Sequence, residues 1–164
     1  MPGQVGDNTW EKSILKMTEK RVSYTLDSTL DSVDMAEDAA AKLAASAGFS
    51  EEERYRIAIA VREAAVNAVL HGNGSNPQKK MTVSYENTGE SLVITIADQG
   101  NGLDPKNIPD PLAPENLLKQ SGRGIFLIRS FMDEVRFRAL EPGTEVTMIK
   151  HVGGAPADGK EETQ

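Results

Sequence analysis

Apolar and polar residues alternate through Arg21-Val-Ser-Tyr-Thr-Leu26, the period of a half-buried strand. The spacing then changes. Leu30, Val33, Met35, Ala36, Ala40, Leu43 and Ala44 recur at helical intervals over residues 29–47, and Gly48 ends that helix. Ser50-Glu-Glu-Glu53 has the form of a capping box, in which Ser50 and Glu53 satisfy end N–H groups reciprocally. It opens a second helix that runs to about Leu70 and stops at His71-Gly72-Asn73-Gly74. Residues 81–86 and 92–97 read as strands joined by a hairpin signal, Asn87-Thr-Gly89-Glu90. Residues 103–121 hold four of the chain's eight prolines, and a loop of that length in a compact domain is functional or disordered. Residues 125–132 predict a short helix, and residues 135–140 and 145–150 a second hairpin around Glu141-Pro-Gly143.

The order is strand, two helices, two strands, loop, helix, two strands. Runs of strands rather than strict alternation predict an α+β fold: a two-layer sandwich with a mixed, mostly antiparallel sheet and helices packed on one face. Residues 19–152 form one domain in this reading, between flexible tails at 1–18 and 153–164 that are poor in apolar residues and rich in Gly, Pro and charge. No internal repeat or linker divides the chain.

Bulk properties narrow the function. A formal net charge of -7 argues against nucleic-acid binding, whose footprint is a clustered basic face. The absence of cysteine excludes disulfides, thiolate chemistry and thiolate-held metals. The apolar runs are far short of a membrane span, and the first residues lack a basic stretch followed by an apolar one. A cytoplasmic protein is the expectation.

Three segments carry candidate chemistry. On the second helix Arg56, Glu63, Asn67 and His71 fall in a narrow stripe of an otherwise apolar circumference. One reading is a stripe facing water. The other is a polar slot beside the sheet, where the Asn67 amide oxygen meets a hard cation such as Mg2+ and Glu63 accepts a proton from an attacking hydroxyl. Asp98 follows an apolar strand and precedes Gly100 and Gly102. Either this is an ordinary Asp/Gly turn, or the acid accepts a hydrogen bond from an exocyclic amine such as that of adenine while the glycines admit a flat ligand. Gly122-Arg123-Gly124 precedes the helical run Ile125-Phe-Leu-Ile128. It is a flexible turn, or a helix N-terminus that exposes N–H groups to an anion, with Arg123 and Lys119 adding charge near a terminal phosphate. Thr144 offers a hydroxyl at the base end of the same pocket, and the proline-rich loop is placed to close over it.

Taken in order, these segments resemble the Bergerat-fold ATPase superfamily of gyrase-type topoisomerases, chaperone ATPases and histidine kinases. Glu63 to Asn67 resembles its N box, Asp98-x-Gly100-x-Gly102 its first glycine box, and Gly122-x-Gly124 its second. Arg62-Glu-Ala-Ala-Val-Asn-Ala-Val-Leu-His-Gly72, the stretch from Gly122 to Val135, and Gly143-Thr-Glu-Val146 are similar to the small anti-sigma-factor serine kinases. The resemblance covers roughly residues 20–150.

It implies binding of ATP and Mg2+, phosphorylation of a serine on an anti-sigma antagonist protein, competition between antagonist and sigma factor for the kinase, and a homodimer. By position, Glu63 is the implied general base, Asn67 the Mg2+ ligand, Asp98 the holder of the adenine amine, and Gly122 and Gly124 the lining of the phosphates, with His71 an added nucleotide contact. Some relatives carry arginine where this chain has Gln120, which leaves open whether Arg123 or Lys119 meets the terminal phosphate.

No P-loop pattern and no H-R-D or D-F-G set is present, so other ATP-using routes are disfavoured. Two alternatives stay open: a module that sequesters a regulator without kinase turnover, and a kinase of another partner-switching cascade.

Overall fold

The structure is a computed structural model that describes residues 21–100 and 120–153. Its elements are β1 (Arg21–Asp27), α1 (Leu30–Ser46), α2 (Glu51–Val66) with a π-helical continuation (Asn67–Gly72), β2 (Lys80–Asn87), β3 (Ser91–Ala97), α3 (Gln120–Phe131), β4 (Glu134–Leu140) and β5 (Gly143–His151). This is the order that the apolar periodicity predicts.

Local chemistry sets the boundaries. Thr29 caps α1 by accepting from the Ser32 N–H at 3.2 Å, and Gly48, at φ +95°, takes the left-handed conformation that ends it. Ser50 accepts from the Glu53 N–H at 3.2 Å, one half of the expected reciprocal pair. Lys150 Nζ donates to the Phe131 carbonyl at 3.0 Å, satisfying an acceptor at the end of α3.

The five strands lie in the order β1-β2-β3-β5-β4. All four pairings are antiparallel, so among the described residues the sheet is not mixed. The β4–β5 hairpin returns β5 between β3 and β4, which sets the start of β5 beside the end of β3.

The helices cover one face. Strand positions of one parity, including Met81, Val83, Tyr85, Leu92, Ile94, Ile96 and Met148, meet α1 and α2 and are essentially fully buried. Each such aliphatic side chain contributes about 1.5–3 kcal/mol relative to exposure. Alanines at 36, 39, 40, 44, 60, 64 and 65 are buried in the helix layer and let α1 and α2 approach closely. Tyr85 is fully buried and donates its hydroxyl to the Ala36 carbonyl at 2.8 Å, tying sheet to helix layer.

Two predictions need correction. The second helix is not uniformly α-helical to Leu70; it passes into a π-helical turn at Asn67. The last helix begins at Gln120, so Gly122, Arg123 and Gly124 lie within its first turns rather than ahead of it.

Candidate functional site

The strand pattern places Asp98. Leu92, Ile94 and Ile96 point into the core, and residue 98 shares their parity, so a carboxylate is carried to the inward side just past the end of β3. It is 8% exposed. The neighbouring start of β5 holds it: the Asp98 N–H donates to the Thr144 carbonyl at 2.9 Å, and the Thr144 N–H donates back to Asp98 Oδ1 at 3.2 Å. The Gly100 N–H donates to the same Oδ1 at 2.9 Å. Both side-chain bonds fall on Oδ1, and Oδ2 has no hydrogen-bond partner among the described residues.

Burial pushes the Asp98 carboxyl above the usual carboxylate range; the bonds from Gly100 and Thr144 and the charge of Lys79 oppose that shift.

The surroundings are closed by backbone. A Cβ on Gly72 would collide with the Asp98 carboxylate, nearest Oδ2, and one on Gly143 with the Asp98 carbonyl. Gly143 also sits at φ +113°. A Cβ on Gly100 would collide with the Gly72 carbonyl. The π-helical turn, the β3 terminus and the β4–β5 turn therefore approach so closely that each of these three glycine positions admits only a hydrogen atom.

Glu63 and Asn67 stand one turn apart at the end of α2, both half-buried. Facing them is Gly124 of α3, where a Cβ would lie 2.9 Å from Glu63 Oε1 and 3.7 Å from Asn67 Nδ2. The fold thus joins the Glu63–Asn67 segment to Gly124 of α3, and through the π turn to Asp98. Gly122 and Arg123 lie in the first turn of α3, whose N–H groups have no partner within the helix. Arg123 is exposed.

His71 is exposed on the π turn, whose wider coil no longer stacks residues four apart. Arg56 is not part of the cleft: it pairs with Glu52 at 2.7 Å and stands 6.0 Å from the Phe131 ring centroid. Gly102, Lys119 and the proline-rich segment lie outside the described residues.

One positioning residue escaped the sequence reading. Asn73, 3% exposed, donates to Ser28 Oγ at 2.8 Å and to the Lys80 carbonyl at 3.0 Å, and accepts from the Gln99 N–H at 2.7 Å. Gln99 Oε1 in turn accepts from the Lys80 N–H at 2.6 Å. This network fixes the backbone just after Asp98. In the sequence Asn73 stands between two glycines after a helix, where any turn asparagine is expected, and nothing marks it as buried.

The donor set fits a purine nucleotide. A buried carboxylate oxygen with a spare lone pair, walled by glycine backbone, matches an exocyclic amine on a flat ring. The Asn67 amide suits a Mg2+ ion whose remaining ligands are phosphate oxygens and water; among the described residues no group of three His, Cys, Asp or Glu side chains forms an all-protein metal site.

The family model for the histidine kinase-like ATPase domain matches residues 26–150. A serine-protein kinase RsbW of Staphylococcus epidermidis is 30% identical over 145 residues, 84% of this chain and 91% of its own length. The chain belongs to the histidine kinase-like ATPase family, in its anti-sigma serine-kinase branch. An anti-sigma F factor of Anoxybacillus flavithermus is 32% identical over 106 residues, covering 62% of this chain and 71% of that protein.

Two solved structures share the fold of this family member. The RsbU and RsbW domains of Rv1364c from Mycobacterium tuberculosis match with a TM-score of 0.58 at 17% identity, over 79% of this chain and 31% of that one. The catalytic domain of histidine kinase ThkA matches with a TM-score of 0.52 at 13% identity, over 79% of this chain and 97% of that one. No helix among the described residues is long and apolar enough to cross a membrane.

Proposed function

We propose that this protein is an ATP- and Mg2+-dependent serine/threonine kinase of the anti-sigma type. It binds a sigma factor and phosphorylates a serine on the antagonist that competes for it. The reading takes the protein to be a cytoplasmic homodimer, with residues 19–152 as its kinase domain. The observation that carries it is the convergence of Asp98, with its glycine walls and an Oδ2 that has no hydrogen-bond partner among the described residues, and the Glu63–Asn67–Gly124 group in one connected site.

ATP, when bound, supplies the phosphoryl group. Asp98 Oδ2 accepts from the adenine amine and sets the orientation of the base. Gly72, Gly100 and Gly143 keep side chains away from that end. The N–H groups of the first turn of α3, with Arg123 beside them, offer positive potential to phosphate oxygens. Asn67 offers its amide oxygen to the magnesium. Glu63, with Oε1 against Gly124, accepts the proton of the serine hydroxyl as that oxygen becomes a nucleophile.

The test is phosphoryl transfer from radiolabelled ATP to an antagonist-type domain by the purified chain. Wild type is expected to label a serine. Glu63→Ala is expected to bind ATP normally and to label at least about 100-fold more slowly, the usual range for loss of a general base. Wild-type rates in Glu63→Ala would remove the base assignment, and absence of labelling by wild type would remove the kinase reading.

A further inference from the structure

An apolar notch lies between β1 and α1, lined by Tyr24, Leu26, Met35, Ala36, Ala39 and Tyr85. Its floor is an edge-to-face ring pair, Tyr24 against the fully buried Tyr85, with centroids 6.3 Å apart. Val22, Tyr24 and Leu26 are the half-buried, helix-side residues of β1. Met35 is also half-buried, and Leu30, at the start of α1, is 55% exposed. Together they leave an apolar strip open to water on the α1 side of the sheet.

The strip has an acidic rim. Asp31 and Asp38 stand one turn to either side of Met35 on α1, and both are exposed, as is Asp34. Asp34 pairs with Arg62 at 2.9 Å and Asp38 with Lys42 at 3.5 Å. Asp31 has no ion-pair partner among the described residues.

The chain supplies a segment of matching chemistry. Residues 1–20 lead directly into β1. Within them Trp10, Ile14 and Met17 recur at the i, i+4, i+7 spacing of one helical face. Lys12, Lys16 and Lys20 form a second stripe, four apart. An apolar face flanked by lysines complements an apolar notch rimmed by aspartates. The lengths also agree. Residues 10–17 span about 12 Å as a helix, and Tyr24 lies about 10 Å along β1 from Arg21. Residues 18–20 then act as a short tether, which gives the segment a high effective concentration at the notch. A helix this short does not hold in water alone, so its order and its seating arise together.

We propose that residues 10–17 seat in the β1–α1 notch of their own chain as a short amphipathic helix running back along β1. Met17 then falls beside Val22, Ile14 beside Tyr24, and Trp10 beside Leu26 and Leu30, with lysines toward the acids of α1. The proposal is independent of the kinase reading, because the nucleotide site lies elsewhere, between β3 and β5.

Trp10 is the chain's single tryptophan, so its fluorescence reads the seating directly. The test is acrylamide quenching of the full chain across a range of concentrations, with a peptide of residues 1–20 as the reference. Wild type is expected to emit to the blue of the peptide and to be quenched several-fold less. Both properties are expected to be independent of protein concentration. Met35→Glu places a charge in the notch, and Ile14→Asp places one on the apolar face of the segment. Each is expected to return emission and quenching to the values of the peptide. Circular dichroism verifies that Met35→Glu is folded, and Ile14→Asp reads docking with every notch residue unchanged.

A wild-type Trp10 as quenchable as the peptide overturns the proposal. Shielding that survives both substitutions overturns the notch as the seat. Shielding that appears only as concentration rises assigns the segment to a second copy and overturns seating within the chain.

Discussion

At the scale of single residues the site is a trade between stability and recognition, and Asp98 states it most clearly. Its carboxyl is raised by burial, so the folded state favours the protonated form and ionisation at neutral pH costs stability. The sign follows: the penalty is fully present above the folded pKa and is relieved as pH falls through it toward the unfolded value. Asp98→Asn keeps an acceptor for the Gly100 and Thr144 N–H groups but offers a donor or no lone pair where Oδ2 stood. The expected result is a melting temperature equal to or above wild type at pH 7, with the difference shrinking as pH falls, and loss of nucleotide affinity. Thermal melts across pH check the first part.

Asn73 is the opposite case. Asn73→Ala removes the partner of the Gln99 N–H and of the Lys80 carbonyl, both part-buried, and the loss of these bonds is expected to cost about 1 kcal/mol each. Urea unfolding is expected to report that loss, together with weaker nucleotide binding as Asp98 loses its frame. The sequence marked Asp98 because acids at strand ends followed by glycines are visible in one dimension. It did not mark Asn73, whose importance depends on three partners from β2, the segment after β3 and the β1–α1 junction.

At the scale of elements, periodicity carried most of the information. Each strand was legible because one face is buried and the other is not, and α1 because Thr29 and Gly48 bound a clear apolar stripe. The π turn was not legible, since an i→i+5 segment of six residues leaves no distinct pattern of apolar positions. The start of α3 was misplaced for a physical reason as well: two glycines in three residues lower helix propensity, and packing of Gly124 against Glu63 overrides it. That contact is itself testable. Gly124→Val forces a branched side chain into the space beside Glu63 Oε1, and the expected result is a folded protein with α3 displaced and phosphoryl transfer reduced by at least about 100-fold. Circular dichroism and the labelling assay separate the two effects. Ser50→Ala, a simple cap deletion remote from the site, is expected to cost about 1 kcal/mol by urea unfolding with little change in activity.

At the scale of the whole molecule, the sheet order does the functional assembly. Inserting β5 between β3 and β4 brings Thr144 to Asp98, and the α2–α3 contact brings Gly124 to Glu63, so segments far apart in sequence form one site. The candidate members of the site and their order along the chain were legible in one dimension; which glycine would face which acid was not. Gly72 and Gly143 read as turn punctuation and became walls of the Asp98 cradle.

The central claim is that this cradle receives adenine. Isothermal titration of the full chain with ATP in excess magnesium tests it most directly, with Asp98→Asn as the paired sample. Saturable binding at one site per chain in wild type, lost in a folded Asp98→Asn protein, is the predicted result. No saturable binding by wild type, or equal affinity in the two proteins, would contradict it.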